Sequence, residues 1–426
     1  MNTAASTNEY AATIGLDWAD QKNDFWLCPR DGKPEHQVVE QTPAAVHEWV
    51  AKLRQRFPAG QIAIAVETTR GAILYALMAY DFIVFYPVNP KALASYREAF
   101  KVSGSKDDVT DAQLAEEMVR CHRDRLRPLQ PQDAGTRTLL GLTEKRRHLV
   151  DSRTTAVNQV HAELKCYYPL ARDLLGDLTT TLAADFLLKW PDLAALKKAG
   201  AAKMRKFFYG HNARSGDLMK ERESALEKAR PLTEDPAIIT PARLMVQALA
   251  AVIKNLNQAI GEMDQAIARL MDQHADAAIF RSFPAAGPVL GPRLLVAFGT
   301  DRDRFASAAE VAQFYGIAPF RRASGKSLVI AMRFRCPKFA RQTFQEHATC
   351  VVKHEPWARE YYQQQRTRGK GHHAAVRTTA FKLIRIYFSC WKNRTPYDSN
   401  TYLEALKKHG SPLHALLQNP KKKSTS

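Results

Sequence analysis

The sequence lacks both a long uninterrupted hydrophobic run and paired cysteines. Hydrophobic residues make up 45% of its 426 positions, but no stretch approaches the roughly 18 consecutive apolar residues that a membrane-spanning helix needs. The first residues show no basic segment followed by an apolar one, so no secretory signal is predicted. The six cysteines are scattered singly, with no C-x-x-C pair of the kind that binds zinc. These absences predict a cytoplasmic protein without a membrane partner.

Acidic residues are scarce in the last quarter of the chain. The net charge is +19, and residues 319–426 carry +17 of it, from 22 Lys/Arg and five Asp/Glu. Such a concentration favours polyphosphate binding, because a cationic surface releases condensed counterions; a solvated basic face is the alternative. The charges alternate with aromatic residues that would suit stacking on bases, namely Phe320, Phe334, Trp357, Tyr361, Tyr362 and Trp391. The composition predicts a nucleic-acid-binding C-terminal region.

The first 130 residues alternate between strand and helix patterns. Thr42-Pro43 reads as the start of a helix, with a capping hydroxyl followed by proline. Strands are predicted at 13–16, 24–28, 36–40, 61–66 and 82–88. This order indicates an α/β domain with a mixed sheet over residues 1–130, ending at a polar stretch that prolines interrupt.

Residues 131–275 are predicted to form an α-helical coiled-coil and oligomerisation region. Apolar residues recur there at alternating spacings of three and four, which is the heptad pattern of a coiled coil: Val246, Leu249, Ile253, Leu256, Ile260, Met263, Ile267 and Leu270. The pattern leaves open whether the partner is the helix predicted at 138–164 or another subunit. We expect both contacts, and hence a homo-oligomer. Residues 276–426 are predicted to form a mainly α-helical basic domain.

Four acidic residues stand where they can converge. Asp17 and Glu67 each follow an apolar strand, while Asp108 and Asp111 share one face of a helix through their i,i+3 spacing. A turn or capping role accounts for any one of them and fits Asp107 well. As a set, unpaired converging carboxylates would repel one another. They therefore predict a divalent-metal site of the kind used in phosphodiester chemistry.

The segments around these acids resemble a known family. I-G-L-D-W-A at 14–19, A-V-E-T-T at 65–69 and K-D-D-V-T-D-A at 106–112 are similar to the motifs of the DEDD transposases of the insertion-sequence one-ten family. The resemblance implies an N-terminal RNase H-like (RuvC-like) catalytic domain and a C-terminal transposase domain. It also implies that Asp17, Glu67, Asp108 and Asp111 bind Mg²⁺, with Mn²⁺ as a possible substitute. The expected activity is DNA transposition by a recombinase.

Ser324 lies in the segment A-P-F-R-R-A-S-G-K-S, beside Arg321, Arg322 and Lys326. A hydroxyl at an exposed turn among cations is suited to attack a phosphate, although an ordinary polar turn has the same composition. The resemblance implies that Ser324, rather than Ser327, is the nucleophile that forms a covalent link to DNA. It further implies that the serine of one subunit works with the acidic residues of another.

Eleven residues of the C-terminal region are predicted to contact nucleic-acid backbones: Arg321, Arg322, Lys326, Arg333, Arg335, Lys338, Arg341, Arg366, Arg368, Lys370 and His372. The resemblance implies donor and target DNA as partners, together with a structured guide RNA that reads sequence by base pairing. Two alternatives stay open. A junction-resolving nuclease would share the acids and need no serine, and a non-catalytic RNA-guided DNA-binding protein would need only the basic and coiled-coil regions.

Overall fold

A computed structural model describes residues 10–67, 70–100, 107–325 and 327–418 of the chain. The chain divides into two compact units, Met1–Pro131 and Gln132–Ser426. The first contains a five-stranded sheet with helices, and the second is almost entirely helical. Each unit is described by itself below.

The sheet of the N-terminal unit has the strand order β3-β2-β1-β4-β5. Its strands are β1 (Ala12–Trp18), β2 (Lys22–Pro29), β3 (Glu35–Glu40), β4 (Ile62–Val66) and β5 (Ile83–Pro87). β2 runs antiparallel to both β1 and β3, whereas β1, β4 and β5 are parallel. All five strands predicted from the sequence are present. The mixed sheet is compatible with an RNase H-like fold.

Helices cover both faces of this sheet. They are α1 (Pro43–Arg56), α2 (Ala72–Leu77), α3 (Pro90–Phe100) and α4 (Asp108–His122), the last followed by a 3-10 turn at Arg123–Arg125. The Thr42 hydroxyl accepts a hydrogen bond from the Ala45 amide, so the predicted start of α1 is confirmed. Side chains alternate along a strand: Ile14 and Leu16 pack with α1 and α2, while Ala63 and Ala65 pack with α4.

Gly15 sets how closely α4 approaches β1. A Cβ atom at Gly15 would lie 1.8 Å from the carbonyl oxygen of Ala112 and 2.6 Å from the amide nitrogen of Glu116. Both neighbours are helix backbone, which has no freedom to swing away. The absence of a side chain at residue 15 is therefore what lets α4 lie directly on the strand that carries Asp17.

In the part of the C-terminal unit that the structure describes, helices follow one another along the chain, with a single hairpin among them. Its helices are α5 (Ala134–Tyr167), α6 (Pro169–Leu175), α7 (Thr181–Lys189), α8 (Leu193–Gly210), α9 (Gly216–Lys228), α10 (Pro236–Gln273), α11 (Ala277–Arg281), α12 (Gly287–Phe298), α13 (Ala308–Phe314), α14 (Lys338–His354), α15 (Pro356–Thr367), α16 (His372–Asn393), α17 (Ser399–Lys408) and α18 (Pro412–Gln418). The hairpin strands are β6 (Phe320–Ser324) and β7 (Ser327–Ala331).

The two longest helices, α5 and α10, pack side by side in antiparallel directions. Arg146 of α5 binds Asp264 of α10, with 3.0 Å between Nη2 and Oδ2, and Arg153 donates to Asn257 Oδ1 over 2.7 Å. These two contacts are seven residues apart in each helix, and the residue number rises along α5 while it falls along α10. The apolar seam of α10 packs on α5 of the same chain, since its members Val246, Ile253 and Ile267 are buried. A contact with another subunit stays a prediction.

Within the described residues, one helix is long and apolar enough to cross a membrane. It is α10, whose most apolar window of 18 residues has a mean hydropathy of 1.6. Its heptad seam is covered by α5, and the side that faces away keeps large apolar side chains exposed, among them Leu244 and Val252. Packing inside the chain covers only part of this apolar surface, since 28% of the window is buried.

The C-terminal unit has two hydrophobic cores. One lies among α6 to α9 and the adjoining halves of α5 and α10, and the other joins α11 to α18. Trp357 and Trp391 are 1% and 0% exposed in the second core. The expectation that these two rings stack on bases is therefore wrong, because the helical periodicity of α15 and α16 turns both rings inward. Phe334, by contrast, is 73% exposed.

Candidate active site and nucleic-acid surface

Asp17 and Glu67 lie at the ends of two adjacent parallel strands. β1 and β4 pair in register through Leu16 and Val66, and each acid is the next residue along its chain. Asp17 is half-buried and Glu67 is exposed. Because parallel strands end at the same edge of a sheet, the backbone brings these two predicted residues to one edge.

The beginning of α4 lies at the same edge. Ala112 faces Gly15, and the Thr13 hydroxyl donates to Glu116 Oε1 over 2.5 Å. The helix therefore runs against the direction of β1, with its first turn toward the end that carries Asp17. Asp107 caps this helix, since its Oδ1 accepts from the Thr110 amide at 2.7 Å. The predicted capping role of Asp107 is confirmed.

Asp108 and Asp111 both face cations. Lys22 Nζ lies 3.8 Å from Asp108 Oδ2, and both side chains are about half exposed. Asp111 is 5% exposed and forms an ion pair with Arg97 of α3. Since the Arg97 side chain is itself 15% exposed, this is a largely buried pair, in which either partner left alone would be costly.

Asp24 is an acid of this site that the sequence reasoning missed. It stands directly opposite Asp17 in the β1–β2 register, so the two side chains project from the same face. Asp24 is 2% exposed and is held by His36 Nε2 at 2.8 Å and by Lys22 Nζ at 3.1 Å. Its hydrogen bond raises the pKa of Lys22. An aspartate beside the apolar run F-W-L was the available signal, because buried acids need partners.

We name this group the acidic corner: Asp17, Asp24, Glu67, Asp108 and Asp111. Its donors are all carboxylate oxygens, the ligands preferred by Mg²⁺ and Mn²⁺. In the part of the chain that the structure describes, no three His, Cys, Asp or Glu side chains are grouped closely enough to hold a metal ion. The donor type and the shared edge fit a divalent cation, and closer convergence of the carboxylates would be needed to bind it.

The hairpin of the C-terminal unit carries the predicted nucleophile. Ser324 is the last residue of β6, opposite Ser327 in the strand pairing, and its side chain lies outside what the structure describes. The sequence placed Ser324 in a turn, but the strand continues through it and the turn begins at Gly325. Arg321 and Arg322 are exposed on the same strand, and Lys326 lies outside the described residues.

Three of the predicted nucleic-acid contacts line one groove. Lys338 and Arg341 of α14 and His372 at the start of α16 border a cavity of about 430 Å³, together with His373 and Gln345. Two helix N-termini meet there, and the positive ends of helix dipoles favour anions. Within the described residues, the lining contains one acid, Glu346. We call this cavity the basic groove.

Two other residues that were predicted to contact nucleic acid, Arg366 and Lys370, form hydrogen bonds within the chain. Arg366 Nη1 donates to the carbonyl oxygen of Lys370 over 3.0 Å. Lys370 Nζ donates to Gln365 Oε1 over 2.7 Å and to Thr378 Oγ1 over 3.1 Å. These bonds fasten the turn between α15 and α16. Arg335 and Arg368 are exposed, whereas Arg333 is half-buried with its guanidinium over the Phe320 ring.

Comparisons with known proteins agree with one another. The family model for the DEDD transposases of IS110, described as a transposase, matches residues 14–169. The model for the transposase IS116/IS110/IS902 family matches residues 277–363. The two matches together span more than half of the chain.

Curated relatives match along nearly their whole length. The mini-circle putative transposase for IS117 of Streptomyces coelicolor is 27% identical over 90% of this chain and 94% of the relative. The insertion element IS900 uncharacterized 42 kDa protein of Mycobacterium paratuberculosis is 29% identical over 86% of this chain and 91% of its own.

Proposed function

Because the chain belongs to the IS116/IS110/IS902 family of transposases, enzymes that cut and join DNA, we propose that its acidic corner carries out the phosphodiester chemistry. The observation that supports this most is the meeting of β1, β4 and the start of α4 at one edge of the sheet. Asp17, Glu67, Asp108 and Asp111 are the proposed ligands of Mg²⁺ or Mn²⁺. The bound cation would polarise the scissile phosphate and stabilise charge on the departing oxygen.

The other residues of the corner prepare these carboxylates. Like charges directly opposed across two strands destabilise a sheet, and Lys22 and His36 offset this repulsion by binding Asp24. Arg97 holds Asp111 Oδ1. In this proposal Arg97 is a positioning residue, which holds one oxygen of the Asp111 carboxylate and would leave the other for the cation. Outer partners of this kind commonly orient metal ligands.

We further propose that Ser324 attacks a DNA phosphate. The serine oxygen would form a bond to phosphorus while the phosphorus–oxygen bond to the departing sugar breaks, so that a phosphoserine ester and a free sugar hydroxyl result. The proton of the serine passes to the departing oxygen or to water. Arg321 and Arg322, exposed on the same strand, would stabilise the negative charge on the transition state.

Replacing Ser324 tests this step, and Ser327 offers a matched control. S324A is expected to abolish a denaturation-resistant protein–DNA adduct on a labelled substrate, while S327A, directly across the hairpin, retains it. Strand cleavage by S324A without any adduct would contradict the nucleophile and favour a junction-resolving nuclease. Loss of the adduct in both variants would point to damage to the hairpin instead.

The partners follow from the same proposal. The basic groove and the hairpin would bind the backbones of donor and target DNA, and a structured guide RNA would read their sequence by base pairing. We propose that the cytoplasmic enzyme acts as a homo-oligomer, so that one subunit supplies Ser324 to the acidic corner of another. Measuring the mass of the protein with and without nucleic acid by light scattering tests the oligomer.

A further inference from the structure

The helix α8 carries positive charge without any acidic residue. Its 18 residues include five cations, all exposed: Lys197, Lys198, Lys203, Arg205 and Lys206. The opposite side of the helix is buried through Met204, Phe207 and Phe208. The helix is thus apolar toward the core of its own segment and purely cationic toward solvent.

Three of these cations form neither an ion pair nor a hydrogen bond with the described residues. Arg205 is satisfied by Glu223, with Nε–Oε1 and Nη2–Oε2 distances of 2.6 and 2.7 Å. Lys197 donates to the carbonyl oxygen of Ala229. Lys198, Lys203 and Lys206 form no ion pair in the part of the chain that the structure describes. Their charges are therefore available to a ligand in solution.

The helices around α8 carry charges of both signs. α9 mixes four acidic and three basic residues in 13 positions. Lys254 binds Asp185 at 2.7 Å, and Arg243 lies 3.6 Å from Asp192. A surface that serves only solubility mixes its signs in this way. The single sign of α8 sets this helix apart from its neighbours around the same core.

The shape of α8 also leaves its backbone accessible. Gly200 has a φ of +80°, which interrupts the helix, and a new helical segment starts at Ala201. Ala201 and Ala202 are exposed and small, and a Cβ at Gly200 would meet no atom within 4 Å. A bulky ligand can therefore lie close to the helix between Lys198 and Lys203. Tyr209 is exposed on the same outer side.

We propose that the outer face of α8 is a second DNA-binding surface, which contacts the phosphate backbone of duplex DNA through Lys198, Lys203 and Lys206. It is separate from the basic groove, which α14 and α16 form. The inference rests on the proposed function, because the substrate of an enzyme that cuts and joins DNA is a polyanion with regularly spaced charges. An RNA carries the same phosphodiester groups, and the experiment separates it from duplex DNA, the proposed occupant.

The test compares two triple variants of the full chain. K198Q/K203Q/K206Q removes the proposed cations, and K165Q/K220Q/K228Q removes the same charge from other exposed lysines of the unit. Binding to a random-sequence DNA duplex and to a folded RNA of similar length is measured over a range of salt concentrations. The α8 variant is expected to lower the slope of log affinity against log salt by about 0.9 for each duplex phosphate that it no longer neutralises, or about two to three in all.

The control should leave the slope within a fraction of one unit of the wild-type value. A decrease for the duplex supports the surface, and a decrease confined to the RNA would overturn duplex DNA as its occupant. Equal decreases in the two variants would show that only net charge matters and would overturn the proposal, as would an unchanged slope in the α8 variant. Strand cleavage by the α8 variant at low salt separates this failure from a failure of the proposed chemistry.

Discussion

In the N-terminal unit the charged residues of the site belong to strands and to a helix packed on them, whereas in the C-terminal unit they lie on a hairpin and on helix starts. Asp24 and Asp111 are 2% and 5% exposed and are held by specific partners. Arg321, Arg322 and Lys338 are exposed. The stability of a buried charge depends on its specific partner, whereas exposed charges of one sign attract a ligand through their summed electrostatic potential. Single substitutions of these charged residues should therefore be severe in the acidic corner and mild on the hairpin and at the helix starts.

The largest expected effect is that of D17N. Losing a carboxylate of the acidic corner should reduce strand cleavage by more than the roughly 10- to 100-fold that loss of an outer partner costs, with DNA affinity unchanged. Cleavage assays with labelled DNA measure this. D31N, at an exposed acid away from the corner, should behave as wild type. Full activity in D17N would contradict the expectation that single substitutions in the acidic corner are severe.

The C-terminal unit also has buried titratable side chains, and His347 is one whose effect on stability can be measured. His347 Nε2 lies 2.9 Å from the Pro284 carbonyl oxygen, and burial lowers the pKa of this side chain to about 4. The unfolded chain binds a proton near the usual pKa of about 6.5, so stability should fall as the pH drops from 6.5 to 4, by up to about 3 kcal/mol. Denaturant unfolding at a series of pH values measures this loss.

The variant H347Q should be less stable at neutral pH, because it loses the hydrogen bond from the imidazole to the Pro284 carbonyl oxygen. It should also lack most of the loss of stability between pH 6.5 and 4. H354Q, at an exposed position seven residues further along α14, is the control and should keep the wild-type dependence. If both variants respond to pH alike, acidic groups elsewhere govern the transition.

The positioning role of Arg97 should show in metal binding. R97M is expected to weaken Mn²⁺ binding about 10- to 100-fold, while R97K restores part of it by keeping a cation beside Asp111. Calorimetric titration measures the affinity, and circular dichroism checks the fold. Tighter binding by R97M would instead make Arg97 a competitor of the metal, and unchanged binding would reduce the ion pair to a purely structural one.

The smallest effect is expected in the basic groove. K338Q/R341Q should reduce the salt slope of DNA binding by about two, equally for any sequence, because each phosphate that is no longer neutralised lowers the slope by about 0.9. Filter binding at several salt concentrations measures this. K353Q/K407Q, at exposed positions outside the groove, is the matched control. A sequence-dependent loss would mean that the groove reads bases.

The sequence allowed the strands and the positions of Asp17 and Glu67 to be predicted, because each acid follows an apolar run. Asp24, Lys22 and Arg97 could not be found in this way, since their contacts depend on strand register and on the approach of α3 to α4. The inward orientation of Trp357 and Trp391 was missed because the composition was read without helical periodicity. The cations of α8 were missed because charge was compared over whole regions.

The paired side-chain contacts between α5 and α10 also restrict how the lengths of these two helices can change. Two such contacts, Arg146–Asp264 and Arg153–Asn257, are seven residues apart in both helices. An insertion in one helix alone would therefore move every later contact out of alignment. We expect related chains to change the lengths of α5 and α10 together, and to differ more freely in the loops between α6 and α9. Comparison of relatives should find length changes concentrated between residues 168 and 235.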